Sequence, residues 1–120
     1  MIHYKQQAEN SNVFTLIISN FNDIIAGTYS KPFIIDLDHD GLLDLLIGES
    51  AGILSHYEQI FPDSCGFQNI SDTFNGFDIG ASAAPLVADV DSNGLLDLII
   101  GNYINLILYE QDHVKVGIFN

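Results

Sequence analysis

DLDHDGLLDLLIG, Asp36 to Gly48, is the stretch on which the fold turns. Four aspartates at 36, 38, 40 and 44 stand directly against a run of leucines and isoleucine. Carboxylates this close repel one another. Such a loop either stays open to water or gathers around a cation. The stretch then recurs as DVDSNGLLDLIIG, Asp89 to Gly101, at an offset of 53 positions (89 against 36).

The offset reaches well beyond the acidic loop. It carries Tyr4 onto Tyr57, Phe14 onto Phe67, Ile17 onto Ile70, Phe21 onto Phe74, Asn22 onto Asn75, Gly27 onto Gly80 and Pro32 onto Pro85. One deleted residue after the second loop brings Tyr57-Glu58-Gln59 onto Tyr109-Glu110-Gln111. The chain of 120 residues therefore holds a little over two units of about fifty residues, a period typical of arrays and propellers.

Within one unit four short apolar stretches follow each other: PFIIDLD (32–38), LDLLIGES (43–50), GILSHYEQ (52–59) and GFQNISDTF (66–74). Each has strand length, is rich in β-branched or aromatic residues, and is bounded by Gly, Pro, Asp or Asn. None has helical periodicity. Four antiparallel strands repeating at this period predict an all-β chain built of β-propeller blades. A single β-sandwich is the rival, but its strands need not repeat in groups of four. Continuous apolar strands such as 32–35 suit positions buried on both sides, and Gly48 and Gly101 at strand ends mark places where backbones approach closely.

The units are then 1–31, a partial blade matching the third and fourth strands (IHYKQQ and VFTLIIS) with a connector; 32–84, a complete blade; and 85–120, a second blade ending in HVKVGIF as its fourth strand. That makes about two and a half blades, an incomplete ring, since propellers close with about four to eight. Further blades from a longer chain, or self-association, are the partners this predicts.

The loop pattern D-x-D-x-D-G-x-x-D places hard oxygen donors at alternate positions of a tight turn, with Gly41 supplying the sharp bend. The first set is Asp36, Asp38, Asp40, the Leu42 carbonyl and Asp44; the second is Asp89, Asp91, Asn93, the Leu95 carbonyl and Asp97. Oxygen-only sets of this kind suit Ca²⁺, whereas Mg²⁺ keeps more water and usually borrows phosphate. Four carboxylates against three predict tighter binding at the first loop. An EF-hand is excluded, because its bidentate Glu at loop position 12 falls on Ile47 and Ile100. The acidic set repeats in each unit, whereas an active site occurs once per fold. Two structural calcium ions, and no enzyme, are therefore expected.

Composition removes other classes. Three basic residues against sixteen acids leave a net charge of −13. Nucleic acid is disfavoured, since phosphate binding needs Lys and Arg. No apolar run reaches membrane-span length, so no membrane insertion is expected. Cys65 is alone, which excludes an intrachain disulfide and a cysteine zinc site. The first residues lack the features of a signal peptide. Taken literally the chain is cytosolic, unless its targeting signal lies elsewhere.

PFIIDLDHDGLLDLLIGESAGILSHYE and APLVADVDSNGLLDLIIGNYINLILYE resemble the FG-GAP/VCBS repeats of integrin-alpha-type β-propellers, in the flavour found in bacterial, Bacteroidetes-type secreted and cell-surface proteins. The proline before the first strand, the D-x-D-x-[DN]-G-x-x-D loop and the glycine after it carry the resemblance. Phe21-Asn22 and Phe74-Asn75 depart from it where the repeat has Phe-Gly, and Gly48-Glu49-Ser50 departs from Gly-Ala-Pro. The resemblance implies calcium bound in the loop, an extracellular or cell-surface location, and a binding, adhesion or scaffold role with a protein or glycan ligand. The alternatives are a carbohydrate-binding propeller, with Tyr29, Tyr57, Tyr103 and Tyr109 as candidate sugar platforms, or an accessory region of a secreted polysaccharide-degrading enzyme.

Overall fold

The β-branched and leucine-rich runs form nine strands in a computed structural model that describes residues 2–9, 13–18, 21–112 and 119. They are β1 (His3–Gln6), β2 (Phe14–Ile18), β3 (Lys31–Ile35), β4 (Asp44–Gly48), β5 (Leu54–Gln59), β6 (Phe67–Ser71), β7 (Ala84–Ala88), β8 (Asp97–Gly101) and β9 (Leu106–Glu110). Three antiparallel sheets result, ordered β1-β2, β3-β4-β5-β6 and β7-β8-β9. The fold is all-β, and among the described residues the helical content is two single 3₁₀ turns, Phe21–Asp23 and Phe74–Gly76. The segment 113–118, expected as a last strand, lies outside the described residues; Gln111 and Phe119 on either side of it form an isolated antiparallel bridge.

Equivalent strands pair in equivalent register. Ile35 faces Asp44 across the first acidic turn and Ala88 faces Asp97 across the second. Asp44 then pairs with Glu58, and Asp97 with Glu110. Each acidic turn is thus the tip of a hairpin whose second strand is the most buried of its sheet. All five residues of β4 are buried. Side chains alternate along a strand, and here both faces meet a core. Leu46 enters the cluster formed with Leu37, Leu54, Phe74, Val87, Leu98 and Ile100. Leu45 and Ile47 enter the other, with Ile24, Phe21, Tyr57 and Phe67. Burying one such side chain contributes about 1.5–3 kcal/mol. The first cluster glues the third sheet onto the second, with β7 lying against β3 and β4.

Two expectations are corrected. The run 32–35 is not buried on both sides. β3 is an edge strand, and its Pro32 and Ile34 are exposed while only Phe33 and Ile35 pack against the core. The continuous apolar run marks a strand with two apolar faces, of which one is covered. Gly101 is likewise not at a close backbone approach. A Cβ there meets first a Leu106 methyl at 3.5 Å, an ordinary contact. Gly48 is the position where the approach is real, because a Cβ would overlap the Ala83 carbonyl at the joint between the second and third sheets.

The pair makes a controlled test. Gly48→Ala must push the third sheet off the second and is expected to destabilise by about 1–3 kcal/mol, the usual cost of overpacking. Gly101→Ala has room and reduces the freedom of the unfolded chain, so it is expected to be neutral or stabilising by up to about 1 kcal/mol. Urea unfolding of both variants measures the difference.

Candidate metal centre

An aspartate turn without a countercharge needs donors, and here the backbone supplies them. In the first turn Asp36 accepts from the Asp40 and Gly41 amides at 3.2 and 3.0 Å, Asp38 accepts from Asp40 at 3.2 Å, and Asp40 accepts from Leu42 at 2.8 Å. In the second, Asp89 accepts from Asn93 and Gly94 at 3.1 and 3.0 Å, Asp91 from Asn93 at 3.1 Å, and Asn93 from Leu95 at 2.8 Å. The two turns are the same structure made twice. Each also bends through a left-handed residue before its glycine: His39 and Ser92, with φ of 59° and 62°, precede Gly41 and Gly94 by two positions. Asp44 and Asp97 close the turns from the strand side, accepting from the amides of Leu37 (2.7 Å) and Val90 (2.8 Å).

The carboxylates that gather are not quite those expected. Ligand-type oxygens of Asp36, Asp38 and Asp40 lie within 4.8 Å of one another, and in the second turn those of Asp89, Asp91 and Asp97 do. Asp44 and Asp97 are both buried, at 2% and 4% exposure, yet their second oxygens differ. Asp44 Oδ1 is 2.7 Å from His56 Nε2, whose ring packs edge-on against Phe74. The second repeat has Leu108 at the matching place on its third strand, and Asp97 Oδ1 has no hydrogen bond among the described residues. Three carboxylates converge in each turn.

Four residues of the site escape a reading based on the loop alone. Gln59 and Gln111 are buried at 5% exposure, and each clamps its turn. Their backbone amides donate to Leu43 and Leu96 carbonyls at 2.8 Å, and their side-chain oxygens accept from the Leu43 and Leu96 amides. Gln111 Nε2 further donates to the Leu37 carbonyl at 2.7 Å, joining the third sheet to the first acidic turn. Glu58 and Glu110 flank the turns from the neighbouring strand, and Glu110 accepts from the Asn93 amide side chain at 3.0 Å. The repeated Tyr-Glu-Gln triplet is the signal that marks all four.

Among the described residues the lysines, Lys5 and Lys31, make no hydrogen bond to either turn, Lys31 instead donating to the Tyr29 carbonyl, and the basic side chain in contact is His56 on Asp44. Partial burial pushes the Asp38 carboxyl above the usual range, the Asp40 amide bond opposes this, and the charges of Asp40 and Asp44 add to the rise. Glu58 is raised too, by partial burial first and then by Asp40, Asp44 and Asp38. Comparison with protein families, with curated proteins and with solved structures returns no match. What the site can do rests on its own geometry: two oxygen-lined turns, each with three converging carboxylates, suited to a hard divalent cation.

A carboxyl whose pKa is raised on folding binds its proton more tightly in the folded state. Its penalty is therefore full at neutral pH and fades as pH falls through the raised value toward the ordinary one. Asp38→Asn keeps the oxygen that accepts from Asp40 and removes the charge. In chelator at neutral pH this variant is expected to melt at or above the parent temperature, with the gain shrinking on acidification. With a bound divalent cation the sign reverses. Melting curves in chelator and in saturating cation check both arms.

Proposed function

We propose that the chain is a calcium-stabilised β-propeller segment that serves as an extracellular or cell-surface binding or scaffold module, not as an enzyme. The observation that carries this reading is the duplicated acidic turn. The same fan of backbone donors occurs at the same place in successive sheets, and three carboxylates converge in each turn, Asp36, Asp38 and Asp40 in the first and Asp89, Asp91 and Asp97 in the second. A catalytic group has no reason to be duplicated in register; a structural ion has. Support for blades comes from the four-stranded order β3-β4-β5-β6 and from β7 lying across β3 and β4, the way one blade follows another.

The donor set fits calcium. Asp36, Asp38, Asp40 and Asp44 with the Leu42 carbonyl would hold one ion; Asp89, Asp91, Asn93 and Asp97 with the Leu95 carbonyl would hold the other. The buried Asp97, which brings a carboxylate within 4.8 Å of those of Asp89 and Asp91, is the strongest single argument for a ligand there. The ion would supply the positive charge that offsets carboxylate repulsion and would lock the hairpin tip. A ligand recognised by the module is a protein or a glycan. The glycan reading, including an accessory role beside a polysaccharide-degrading enzyme, draws on Tyr29 and Tyr103, which stand 78% and 85% exposed. Tyr57 packs in a core, and Tyr109 stacks on Phe77 at 4.2 Å, so neither presents a free platform.

Calcium binds the folded turn and not the unfolded one. Each site is therefore expected to add roughly 2.7 kcal/mol at about a hundred dissociation constants of free ion. Calorimetry is expected to count two sites in the parent, one in Asp36→Ala and one in Asp91→Ala, with chelator lowering the melting temperature of all three. A melting curve indifferent to chelator rules out the structural role. For the ligand, a glycan array probed with the parent and with Tyr29→Ala/Tyr103→Ala separates sugar recognition from a scaffold, since only the former loses signal in the double variant.

A further inference from the structure

Asp44 and Asp97 hold the same place in the two repeats, as the first residues of β4 and β8. Both are buried, and each has one oxygen tied to a loop amide, that of Leu37 or Val90. Their other oxygens differ. Asp97 Oδ1 has no hydrogen bond among the described residues, and an Asp97 carboxylate oxygen lies within 4.8 Å of one from each of Asp89 and Asp91. Asp44 Oδ1 lies 2.7 Å from His56 Nε2, and the carboxylates that converge in the first turn are those of Asp36, Asp38 and Asp40.

Strand register explains the contact. Across an antiparallel pair a side chain also reaches the diagonal neighbour of its direct partner. Asp44 pairs with Glu58 and Leu46 with His56, so His56 stands diagonal to Asp44 on one face of the sheet. Asp97 pairs with Glu110 and Ile99 with Leu108, which puts Leu108 at the same diagonal. A leucine offers no hydrogen bond. An ionised carboxylate only accepts, so the His56 ring carries a proton on Nε2 and donates it, and the neutral imidazole suffices for this. Phe74 packs edge-on against the ring, with centroids 5.2 Å apart, and the His56 side chain is largely buried.

We propose that His56 is a positioning residue for the first turn: its imidazole engages the Asp44 oxygen that a cation would otherwise draw on, so an ion entering the first turn competes with the ring, whereas an ion entering the second turn meets Asp97 without a competitor. The inference rests on the reading of both turns as cation sites. A charge-assisted hydrogen bond supports a buried carboxylate in part as an ion does. The first hairpin, joined to the third sheet through the bond from Gln111 to the Leu37 carbonyl, thus has a built-in support for its buried aspartate. One difference between the repeats, His56 against Leu108, sets two like turns apart in their dependence on the cation.

Calcium calorimetry on the whole chain tests it, with Asp91→Ala present to silence the second site. His56→Leu is expected to tighten the remaining site roughly three- to tenfold, part of what a hydrogen bond to a charged group is worth. In the Asp36→Ala background, which keeps the second site, the same change is expected to leave affinity unaltered. A second readout keeps His56 in place. With isotope-labelled histidine, the His56 Nε2 resonance is expected to move as calcium fills the first site in Asp91→Ala and to stay still in Asp36→Ala; a ring that only packs on Phe74 moves in neither. Three results overturn the proposal: a folded His56→Leu protein with an unchanged first site, a weaker first site in that variant, which makes His56 a supporter of Asp44 as ligand, or an Nε2 resonance indifferent to calcium. Obtained with both sites still counted in the parent, they overturn this inference alone. No calcium heat in the parent overturns the cation reading and this inference with it.

Discussion

Repulsion among the turn carboxylates is the constraint on which the rest of the molecule depends. The hairpin β3–β4 cannot close unless Asp36, Asp38 and Asp40 come together, and the amides of Asp40, Gly41 and Leu42 are turned inward to make that tolerable. Hydrogen bonds to a charged acceptor are worth more than neutral ones, yet they cancel only part of a multiple negative charge. Everything downstream of the turn inherits this balance. Asp44 opens β4, β4 is buried on both faces, and both apolar clusters meet on it. A turn that failed to close would shift β4 in register, and a one-residue slip would exchange Leu46 with Leu45 and Ile47 between the two cores.

The two turns are made alike and set in unlike surroundings. Around the first, Asp44 is shared with His56 and the Leu37 carbonyl is held by Gln111 from the next sheet. Around the second, Asp97 Oδ1 has no hydrogen bond among the described residues, and Leu108, in the place of His56, is 63% exposed. The difference is one of neighbours. The first turn lies beside a following sheet and its connector, which bring Gln111 and Phe74 to it, whereas the second lies on the last sheet of the described structure. The same cause separates Gly48, pressed on Ala83, from Gly101, which has room. Closely similar local sequence thus gives the same backbone hydrogen bonding within the turn and divergent burial outside it.

That division also explains what could be read in advance. The strand character of the apolar runs, the hairpin tip between Ile35 and Asp44 and the gathering of the Asp36, Asp38 and Asp40 and of the Asp89, Asp91 and Asp97 carboxylates are local properties, set by alternation, turn residues and spacing. They were legible. The exposure of Pro32 and Ile34, the capture of Asp44 by His56 and the long-range bond from Gln111 to Leu37 depend on residues far away in the chain. No local pattern encodes them. Gln59 and Gln111 form an intermediate case. The repeated triplet marked them as a pair, but only the structure assigns them to hold the turns shut.

The asparagines that follow Phe21 and Phe74 obey the same logic. Asn22 and Asn75 both sit in the left-handed region, with φ of 53°. Glycine enters that region at no steric cost, and Asn is among the few other residues that enter it readily. Asn carries an amide that glycine lacks. Asn22 Nδ2 donates to the Cys65 carbonyl at 2.8 Å, tying the connector after β2 to the loop before β6. Asn22 thus meets the backbone requirement and adds a cross-sheet bond. Replacing Asn22 by glycine would preserve the bend and remove the tie, whereas alanine would lose both, so the two changes separate the conformational from the bonding contribution of one residue.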